Sequence, residues 1–387
     1  MKKRLLLFFL GIVLLFIFYI PNLQRAFWTA LVVSEILNFE SRGWLDRWSE
    51  SPRTSSIVFQ GPSGPRQADL YEPSSGAVRA AILLNHGVID TGKDDPRLKR
   101  FAEILCRAGF LVFVPEFRGM RSFRVSSGDV DEIQAAYEAF LACGENRGPW
   151  PCGLFGFSYG AGPTLIAASR PGVRARVKFV VSFGGYFDLK NVLSFIATGH
   201  CEYAGKKYFR KPQQYGKWVF LANNLDWVQS RGDRFTLEKI ISEKLRDENA
   251  QIDCFLSALG PEGRNILALL DHPDPSQTAE HIQLMPLEIR KMIESLSVAQ
   301  AIPHLKADLI LAHGEEDDLI PFTETLRIAR NAPNPDKVHL QILKGFSHVD
   351  PAQKAPTLKN IFEYYLPEGW KLFWLVNRLM NYLYPSD

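Results

Sequence analysis

The sequence has few cysteines, little surplus charge and none of the short motifs that bind zinc or a dinucleotide. Only five of its 387 residues are cysteine, and their irregular spacing does not form a disulfide framework. No C-x-x-C, H-E-x-x-H or strict G-x-G-x-x-G is present, so neither a structural zinc nor a dinucleotide is indicated. The 45 basic and 42 acidic residues give a net charge of +3, which is too balanced to indicate a nucleic-acid partner. Because 46% of the residues are hydrophobic, the composition excludes a disordered chain.

A phosphate-binding loop is incomplete in this chain. Residues 87–93 read G-x-x-x-x-G-K, but the next residue is Asp94, where the motif needs a hydroxyl that binds magnesium. A carboxylate at that point repels a triphosphate, so nucleotide hydrolysis is not predicted.

The N-terminus predicts export or membrane anchoring. Basic residues at 2–4 precede an uninterrupted run of apolar or small residues over 5–20, within a signal-anchor or signal segment at 1–22. No convincing small-x-small cleavage site follows and residues 26–33 are apolar again, so we favour an uncleaved anchor over a secreted form. The basic end stays in the cytoplasm, which places the rest of the chain outside it. There Cys143 could pair with Cys152 or Cys201 with Cys254, unless the cysteines are simply small buried residues.

Apolar runs that are typical of buried strands alternate with patterns that are typical of helices. This alternation predicts an α/β fold with a mostly parallel central sheet flanked by helices. An opening hairpin is expected within residues 56–71. The predicted strands cover 80–85, 110–115, 152–157, 177–183, 307–312 and 337–343, and the predicted helices cover 96–108, 130–142, 161–169, 322–331 and 355–366.

Residues 156–160, which read G-F-S-Y-G, lie between a predicted strand and a predicted helix. This is the layout of a nucleophile elbow, a sharp turn that presents a serine at the end of a sheet. Gly156 and Gly160 leave room for neighbouring segments that a Cβ would meet. Ser158 is therefore the candidate nucleophile, and its alternative role is that of a small residue in a tight turn.

A candidate base and a candidate acid follow two later strands. His348 follows the strand at 337–343, and four consecutive carboxylates at 315–318 follow the strand at 307–312. A serine hydroxyl needs a base that takes its proton, and the imidazole needs a buried carboxylate that holds its tautomer. Serine, acid and histidine at three strand ends predict a catalytic triad. The alternative for His348 is an exposed loop histidine.

With these residues the chain resembles the α/β-hydrolase superfamily, in its esterase and dienelactone-hydrolase-like branch, over roughly residues 55–367. The pattern H-G-x-x-D-x-x-I-P at 313–321 matches the family spacing and selects Asp317 as the acid, with Asp318 as its substitute. Residues 118–122 resemble the family's R-G-x-G-x-S loop, but Arg121 replaces a glycine. Dienelactone hydrolases use a cysteine nucleophile and this elbow carries a serine, so the resemblance implies the fold and the triad and leaves the substrate open.

The resemblance also implies an oxyanion hole made by backbone N–H groups. In the family, one N–H belongs to the residue after the nucleophile and the other to the turn after an early strand. Those positions are Tyr159 and Val88 here. His86 and Gly87, which precede Val88, resemble the family's HG oxyanion turn.

The division of the chain follows from the same resemblance. The hydrolase core is expected at 55–187 and 304–368, with a helical cap inserted at 188–303 over the active site. Residues 23–54 are expected to form a linker or an amphipathic helix. The aromatic, amphipathic stretch at 369–387 predicts a helix that either lies at a membrane interface or packs on the cap or the N-terminal helix.

The predicted function is hydrolysis of a carboxylic ester through an acyl-enzyme. Ser158 attacks, His348 acts as base and then as acid, and Asp317 orients the imidazole. The expected substrate is a small-molecule or lipid-like ester, and no cofactor, metal or nucleic acid is required. The alternatives are amide, peptide or thioester cleavage or acyl transfer on the same triad, or a binding protein that kept the fold without turnover. The oligomeric state stays open.

Overall fold

An eight-stranded sheet lies at the centre of the computed structural model, which describes residues 21–38, 43–74, 78–144, 148–270, 275–344, 346–348, 350–351 and 357–385. Its strands lie in the order β1-β2-β4-β3-β5-β6-β9-β10. The first two pairings in that order are antiparallel and the others are parallel. The predicted fold class, a mostly parallel sheet flanked by helices, is confirmed. The sheet strands are β1 (Arg53–Gly61), β2 (Gly64–Glu72), β3 (Ala80–Asn85), β4 (Phe110–Pro115), β5 (Cys152–Phe157), β6 (Val177–Phe183), β9 (Asp308–Gly314) and β10 (Val338–Leu343), and the short strands are β7 (His200–Tyr203), β8 (Lys206–Phe209), β11 (Phe346–Ser347) and β12 (Asp350–Pro351).

Helices connect most of these strands and cover the sheet. The α-helices are α1 (Pro21–Leu37), α2 (Trp44–Trp48), α3 (Pro96–Ala108), α4 (Arg118–Arg121), α5 (Asp129–Gly144), α6 (Ala161–Ser169), α7 (Leu189–Thr198), α8 (Gln214–Asn223), α9 (Arg231–Arg246), α10 (Asp253–Leu256), α11 (Pro261–Leu270), α12 (Thr278–Gln283), α13 (Leu287–Ser295), α14 (Thr323–Asn331), α15 (Leu358–Asn360) and α16 (Leu366–Met380). A π-helical turn at Ile361–Tyr365 joins the last two. Short 3₁₀ turns lie at Gly92–Asp94, Ser158–Gly160, Leu225–Trp227, Val298–Gln300, Ile302–His304 and Pro335–Lys337.

The strands are apolar on both faces because helices cover both. Successive side chains of a strand point to opposite faces, and in β3 the side chain of Leu83 packs on the face that α5 and α6 cover. The side chains of Ile82 and Leu84 pack on the other face, beneath α1, α3 and α16. The second face is therefore closed by helices from both ends of the chain.

The first and last helices contact each other directly. The Asn377 side chain donates to Thr29 Oγ1 at 3.2 Å, and the rings of Trp28 and Tyr384 stack with centroids 6.5 Å apart. Val32 of α1 is completely buried. Helix α16 thus packs on the N-terminal helix, one of the arrangements that its sequence left open, while Trp370 and Trp374 remain exposed.

No helix among the described residues is long and apolar enough to cross a membrane. The predicted anchor at residues 5–20 lies outside the described residues.

The region expected to form the cap has a small core of its own. Trp218, Leu237 and Ile240 belong to a buried cluster that is separate from the two clusters on the sheet. The side chain of Asn224 joins this region to the hydrolase core, since it donates to the Phe123 carbonyl at 2.9 Å and accepts from the Val125 N–H at 3.2 Å. A hairpin of β7 and β8, which the sequence did not predict, lies between α7 and α8 of this region.

The described cysteines do not bear out the proposed Cys201–Cys254 bond, because both residues carry free thiols. Cys106 and Cys152 are buried. Burial raises the pKa of the Cys152 thiol to about 12, so this thiol stays protonated and behaves as a small apolar residue.

Candidate active site

Ser158 lies on a strained turn between β5 and α6. Its φ of +52° falls in the left-handed region, which a residue with a side chain occupies at a cost of about 1–3 kcal/mol. The strand ends one residue before it, and the helix begins three residues after it. This is the geometry of the predicted nucleophile elbow.

Glycine is required on both sides of the elbow. A Cβ on Gly156 would lie 2.5 Å from the Cα of Ala161, and a Cβ on Gly160 would lie 2.4 Å from the carbonyl oxygen of His86. Both contacts are with backbone atoms, which cannot rotate away. The close approaches that the G-x-S-x-G pattern predicts are present.

Asp317 is the buried member of the four consecutive carboxylates. Its residue is 2% exposed, whereas Glu316 is exposed and Asp318 is partly exposed. Asp317 Oδ1 accepts hydrogen bonds from the N–H groups of Leu319 and Ile320 at 2.9 and 2.8 Å. These bonds fix the carboxylate in the turn after β9.

The other carboxylate oxygen faces two histidines. Asp317 Oδ2 lies 2.7 Å from His348 Nδ1 and 3.3 Å from His313 Nε2. Burial alone raises the pKa of the Asp317 carboxyl, but the charge of His348 and the hydrogen bonds from both histidines outweigh it and hold that pKa well below its usual range. Asp317 is therefore ionised throughout the neutral range. From the sequence, His313 is an ordinary residue at the end of a strand, and its contact with Asp317 is not predicted.

His348 is presented on a second strained turn. It directly follows β11, and its φ is +51°, again in the left-handed region. Its side chain is 18% exposed. Nδ1, the nitrogen that faces Asp317, is the one that a triad histidine turns towards its carboxylate.

The turn after β3 is fixed by a histidine with a defined tautomer. The Phe117 N–H donates to His86 Nε2 at 3.2 Å, so Nδ1 carries the ring proton and donates to the Gly87 carbonyl at 2.8 Å. Burial, with a smaller contribution from the charge of Arg121, lowers the pKa of His86 to about 4. The ring is neutral near pH 7 and cannot serve as a cation there.

That contact also orients the N–H of Val88. The carbonyl of Gly87 and the N–H of Val88 belong to one planar trans peptide, in which the two bonds point in opposite directions. A carbonyl held by His86 therefore fixes the direction of the Val88 N–H. Arg121 adds a tether to the same turn, because its Nε donates to the Asp90 carbonyl at 2.9 Å.

Tyr159, the residue after Ser158, is fixed by a hydrogen bond from its side chain to α5. Its hydroxyl donates to Asp129 Oδ2 at 2.7 Å, and both residues are buried. Burial raises the pKa of Asp129 to about 6, although the hydrogen bond from Tyr159 opposes this. The link between Asp129 and the elbow depends on a contact that no local sequence pattern encodes.

An apolar cavity of about 280 Å³ lies beside Ser158. Ser158, His348, His86, Gly87 and Val88 all line it. The rest of its lining comes mainly from α1, α3, α16 and the sheet face that they cover. Asp317, which contacts His348, does not line the cavity, and Tyr159 does not line it either. No cluster of three or more His, Cys, Asp or Glu suited to a metal ion occurs among the described residues.

No protein-family model matches this sequence, and no curated protein matches it. Solved structures do. A Legionella pneumophila protein, provisionally described as a hydrolase, has a TM-score of 0.56 at 14% identity over 93% of this chain and 95% of its own. The chain adopts the α/β-hydrolase fold.

Two peptidases share this fold over part of their length. The acylaminoacyl peptidase of Pyrococcus horikoshii has a TM-score of 0.52 at 14% identity, over 91% of this chain and 44% of its own. A puromycin-hydrolyzing peptidase of Mycobacterium tuberculosis has a TM-score of 0.50 at 15% identity, over 87% of this chain and 40% of its own. The chain thus spans less than half the length of these peptidases.

Proposed function

We propose that this α/β-hydrolase-fold protein is a serine hydrolase that cleaves carboxylic esters through an acyl-enzyme. The observation that carries the proposal is the 2.7 Å contact between His348 Nδ1 and the buried Asp317, beside a cavity that His348 and Ser158 both line. A hydroxyl becomes nucleophilic when a histidine takes its proton, and an ionised carboxylate stabilises the imidazolium that forms.

The first half of the reaction acylates Ser158. Its Oγ attacks the ester carbonyl while His348 Nε2 takes the hydroxyl proton, and a tetrahedral intermediate forms. The backbone N–H groups of Val88 and Tyr159 stabilise the oxyanion. The intermediate collapses, the ester C–O bond breaks, and His348 returns the proton to the leaving alcohol.

The second half frees the enzyme. Water enters in place of the alcohol, His348 takes one of its protons, and the hydroxide attacks the acyl carbonyl. Collapse of the second tetrahedral intermediate releases the carboxylic acid, and the proton on His348 returns to Ser158. One ester and one water are consumed, and one alcohol and one carboxylic acid are released.

Amide hydrolysis is the second candidate, because two structures with this fold belong to peptidases. The apolar lining of the cavity favours an ester with an apolar acyl group. The two candidates separate in one assay, which compares the kcat/KM of a p-nitrophenyl ester with that of the p-nitroanilide of the same acyl group. A higher value for the anilide would overturn the ester assignment and keep the triad.

The experiment that tests the mechanism is labelling with a fluorophosphonate, whose phosphorus bonds to an activated serine as fluoride leaves. The full chain, purified in detergent, is compared with Ser158→Ala, Asp317→Asn and His348→Ala. Labelling should vanish in the first variant and slow by a factor of about 10³ or more in the others.

Two neighbours provide matched controls. Asp318→Asn removes an adjacent, partly exposed carboxylate, and Ser347→Ala removes an exposed hydroxyl next to His348. Both should label at the wild-type rate. A folded wild-type chain that takes no label would refute the mechanism and favour a binding role, and equal losses in the two aspartate variants would remove Asp317 from its assigned role.

We further propose that residues 5–20 hold the protein at a membrane, with the catalytic domain on the outer side. The support is the apolar run and the basic residues before it. The full chain should resist extraction from membranes at alkaline pH, and protease added from outside should degrade it. A soluble protein with a new N-terminus would establish the secreted alternative, and a soluble protein that keeps Met1 would overturn both.

A further inference from the structure

The cavity beside Ser158 runs between the sheet and three helices. Val32 of α1, Leu105 of α3 and Leu379 of α16 line one side, and Phe155 of β5 and Val181 of β6 line the other. Among the described residues, none of those lining it belongs to the region 188–303 that was expected to cover the active site. The binding volume next to the nucleophile is therefore built by the two ends of the chain.

The chemistry of this lining suits a hydrocarbon. The polar residues, which are Asp95, Arg97, His86, His348 and Ser158, belong to the catalytic turns or to the start of α3. The α1, α16 and sheet residues that line it are all apolar. Apolar cavities of this kind stay dry and take up apolar ligands.

The volume sets the size of the group that fits. A dry cavity of about 150 Å³ takes up benzene, so a volume of 280 Å³ corresponds to roughly ten carbon atoms.

The walls are held in place by buried polar contacts. The carboxylate of Glu35 in α1 is completely buried, accepts from the Leu45 N–H at 3.0 Å, and pairs with Arg100 of α3 at 2.6 Å. Arg100 also pairs with Asp46 of α2 at 2.6 Å. Together with the contacts between α1 and α16, this network holds α1 against the sheet as one side of the cavity.

We infer that this cavity binds the acyl chain of the substrate, a chain of roughly ten carbons, so that the protein is selective for medium-chain acyl esters. The inference rests on the proposed ester hydrolysis. The acyl group is assigned to the cavity because it stays bonded to Ser158 through both halves of the reaction, whereas the alcohol must leave before water enters. A site walled by sheet and helices suits the group that stays.

The test uses the full chain and p-nitrophenyl esters of butyrate and decanoate. Each buried methylene should raise kcat/KM by roughly fourfold, so the six additional methylenes of decanoate set an upper limit of about 4 × 10³ on its advantage over butyrate. An advantage below about tenfold would contradict burial of the chain. Val32→Phe fills the cavity from α1 and should lower kcat/KM for decanoate far more than for butyrate, which removes most of this preference. Ala30→Phe is the matched control, because Ala30 lies on the exposed side of the same helix.

A second cavity variant keeps the inference testable if Val32→Phe does not fold. Leu379→Phe fills the cavity from α16, and Arg378→Phe changes the exposed neighbouring position. Melting temperatures establish that each variant is folded. If both folded cavity variants keep the wild-type ratio of decanoate to butyrate, or if the preference follows the chain length of the alcohol, the acyl-site inference is overturned.

Binding without turnover separates this inference from the proposed function. Sodium decanoate is titrated calorimetrically into Ser158→Ala, with and without Val32→Phe. Saturable binding that the second substitution weakens about tenfold supports the cavity even if the wild-type chain hydrolyses nothing, in which case only the hydrolase proposal fails. Ester hydrolysis without chain-length preference and without decanoate binding overturns the cavity and leaves the hydrolase standing.

Discussion

Replacement of His86 should slow catalysis although this residue is neither nucleophile nor base. The ring holds the Gly87 carbonyl at 2.8 Å and thereby the direction of the Val88 N–H. Loss of an oxyanion donor costs about 2.7–4 kcal/mol, or 10²–10³ in kcat. His86→Leu keeps the donor but loosens it, so we expect a loss of about 10- to 100-fold in kcat with KM changed little, because the oxyanion forms only in the transition state.

A conservative variant separates positioning from simple damage. The amide group of His86→Asn can place a donor near the position of Nδ1 and should recover a large part of the kcat that His86→Leu loses. The assay is steady-state hydrolysis of a p-nitrophenyl ester at pH 8, with urea unfolding of each variant. A kcat within about twofold of wild type in the folded His86→Leu variant, or equal losses in the two variants, would refute the reasoning.

The same residue makes a pH-dependent contribution to stability. The pKa of His86 is about 4 in the fold, against an ordinary value of 6.5 in the unfolded chain. Between these values the unfolded chain binds more protons, so stability falls as the pH falls. This pKa difference of about 2.5 corresponds to about 3 kcal/mol of unfolding free energy. The advantage of the wild type over His86→Leu in unfolding free energy should therefore shrink by about that amount between pH 7 and pH 4.

Three further predictions concern the supports of the site. Asp129→Asn should stabilise the fold relative to wild type above pH 6, because the Asp129 carboxyl has a pKa of about 6 in the fold and an ordinary value of 3.8. Urea unfolding should show a gain of about 3 kcal/mol that disappears as the pH falls to 4. A gain that is independent of pH would contradict this. Gly160→Ala should lower both the melting temperature and kcat because its Cβ meets a backbone oxygen at 2.4 Å, while Gly232→Ala, whose Cβ meets nothing within 4 Å, should leave both nearly unchanged or raise the melting temperature slightly. Glu35→Gln should lower the free energy of unfolding by about 1–3 kcal/mol, because it removes the charge from a buried ion pair while Asp46 still pairs with Arg100. An unchanged melting curve would contradict this.

The parts of the fold that the sequence predicts well are those with short-range signals. The apolar runs of β3, β4, β5 and β6 are observed with the predicted bounds, since each is a buried strand with turn residues on either side. The elbow is predictable because G-x-S-x-G is a contiguous pattern between an apolar strand and a helix, although the backbone that Gly160 approaches is that of the distant His86. These signals lie within single segments, so one sequence suffices to read them.

The contacts that complete the site lie far apart in the chain and leave no local trace. Thr29 meets Asn377, and Tyr159 meets Asp129, through side chains whose sequence context is that of ordinary helix residues. The position of α1 and α16 beside Ser158 has the same origin, because it depends on packing between helices from the two ends of the chain. No pattern within either helix encodes it.

Buried polar groups surround the two strained turns that carry Ser158 and His348. Ser158 and His348 both adopt a positive φ, and each such residue costs about 1–3 kcal/mol that the surrounding structure must offset. The hydrogen bonds on Asp317 hold His348 in its turn, and the side chain of Asn85, which donates to the Gly160 carbonyl at 2.9 Å, holds the elbow on β3. Because these groups are buried, each bond removed leaves an unsatisfied partner that costs about 1–3 kcal/mol. The arrangement of the proposed triad is therefore maintained by residues outside it, and substitutions there should reduce the proposed activity through the orientation of the turns.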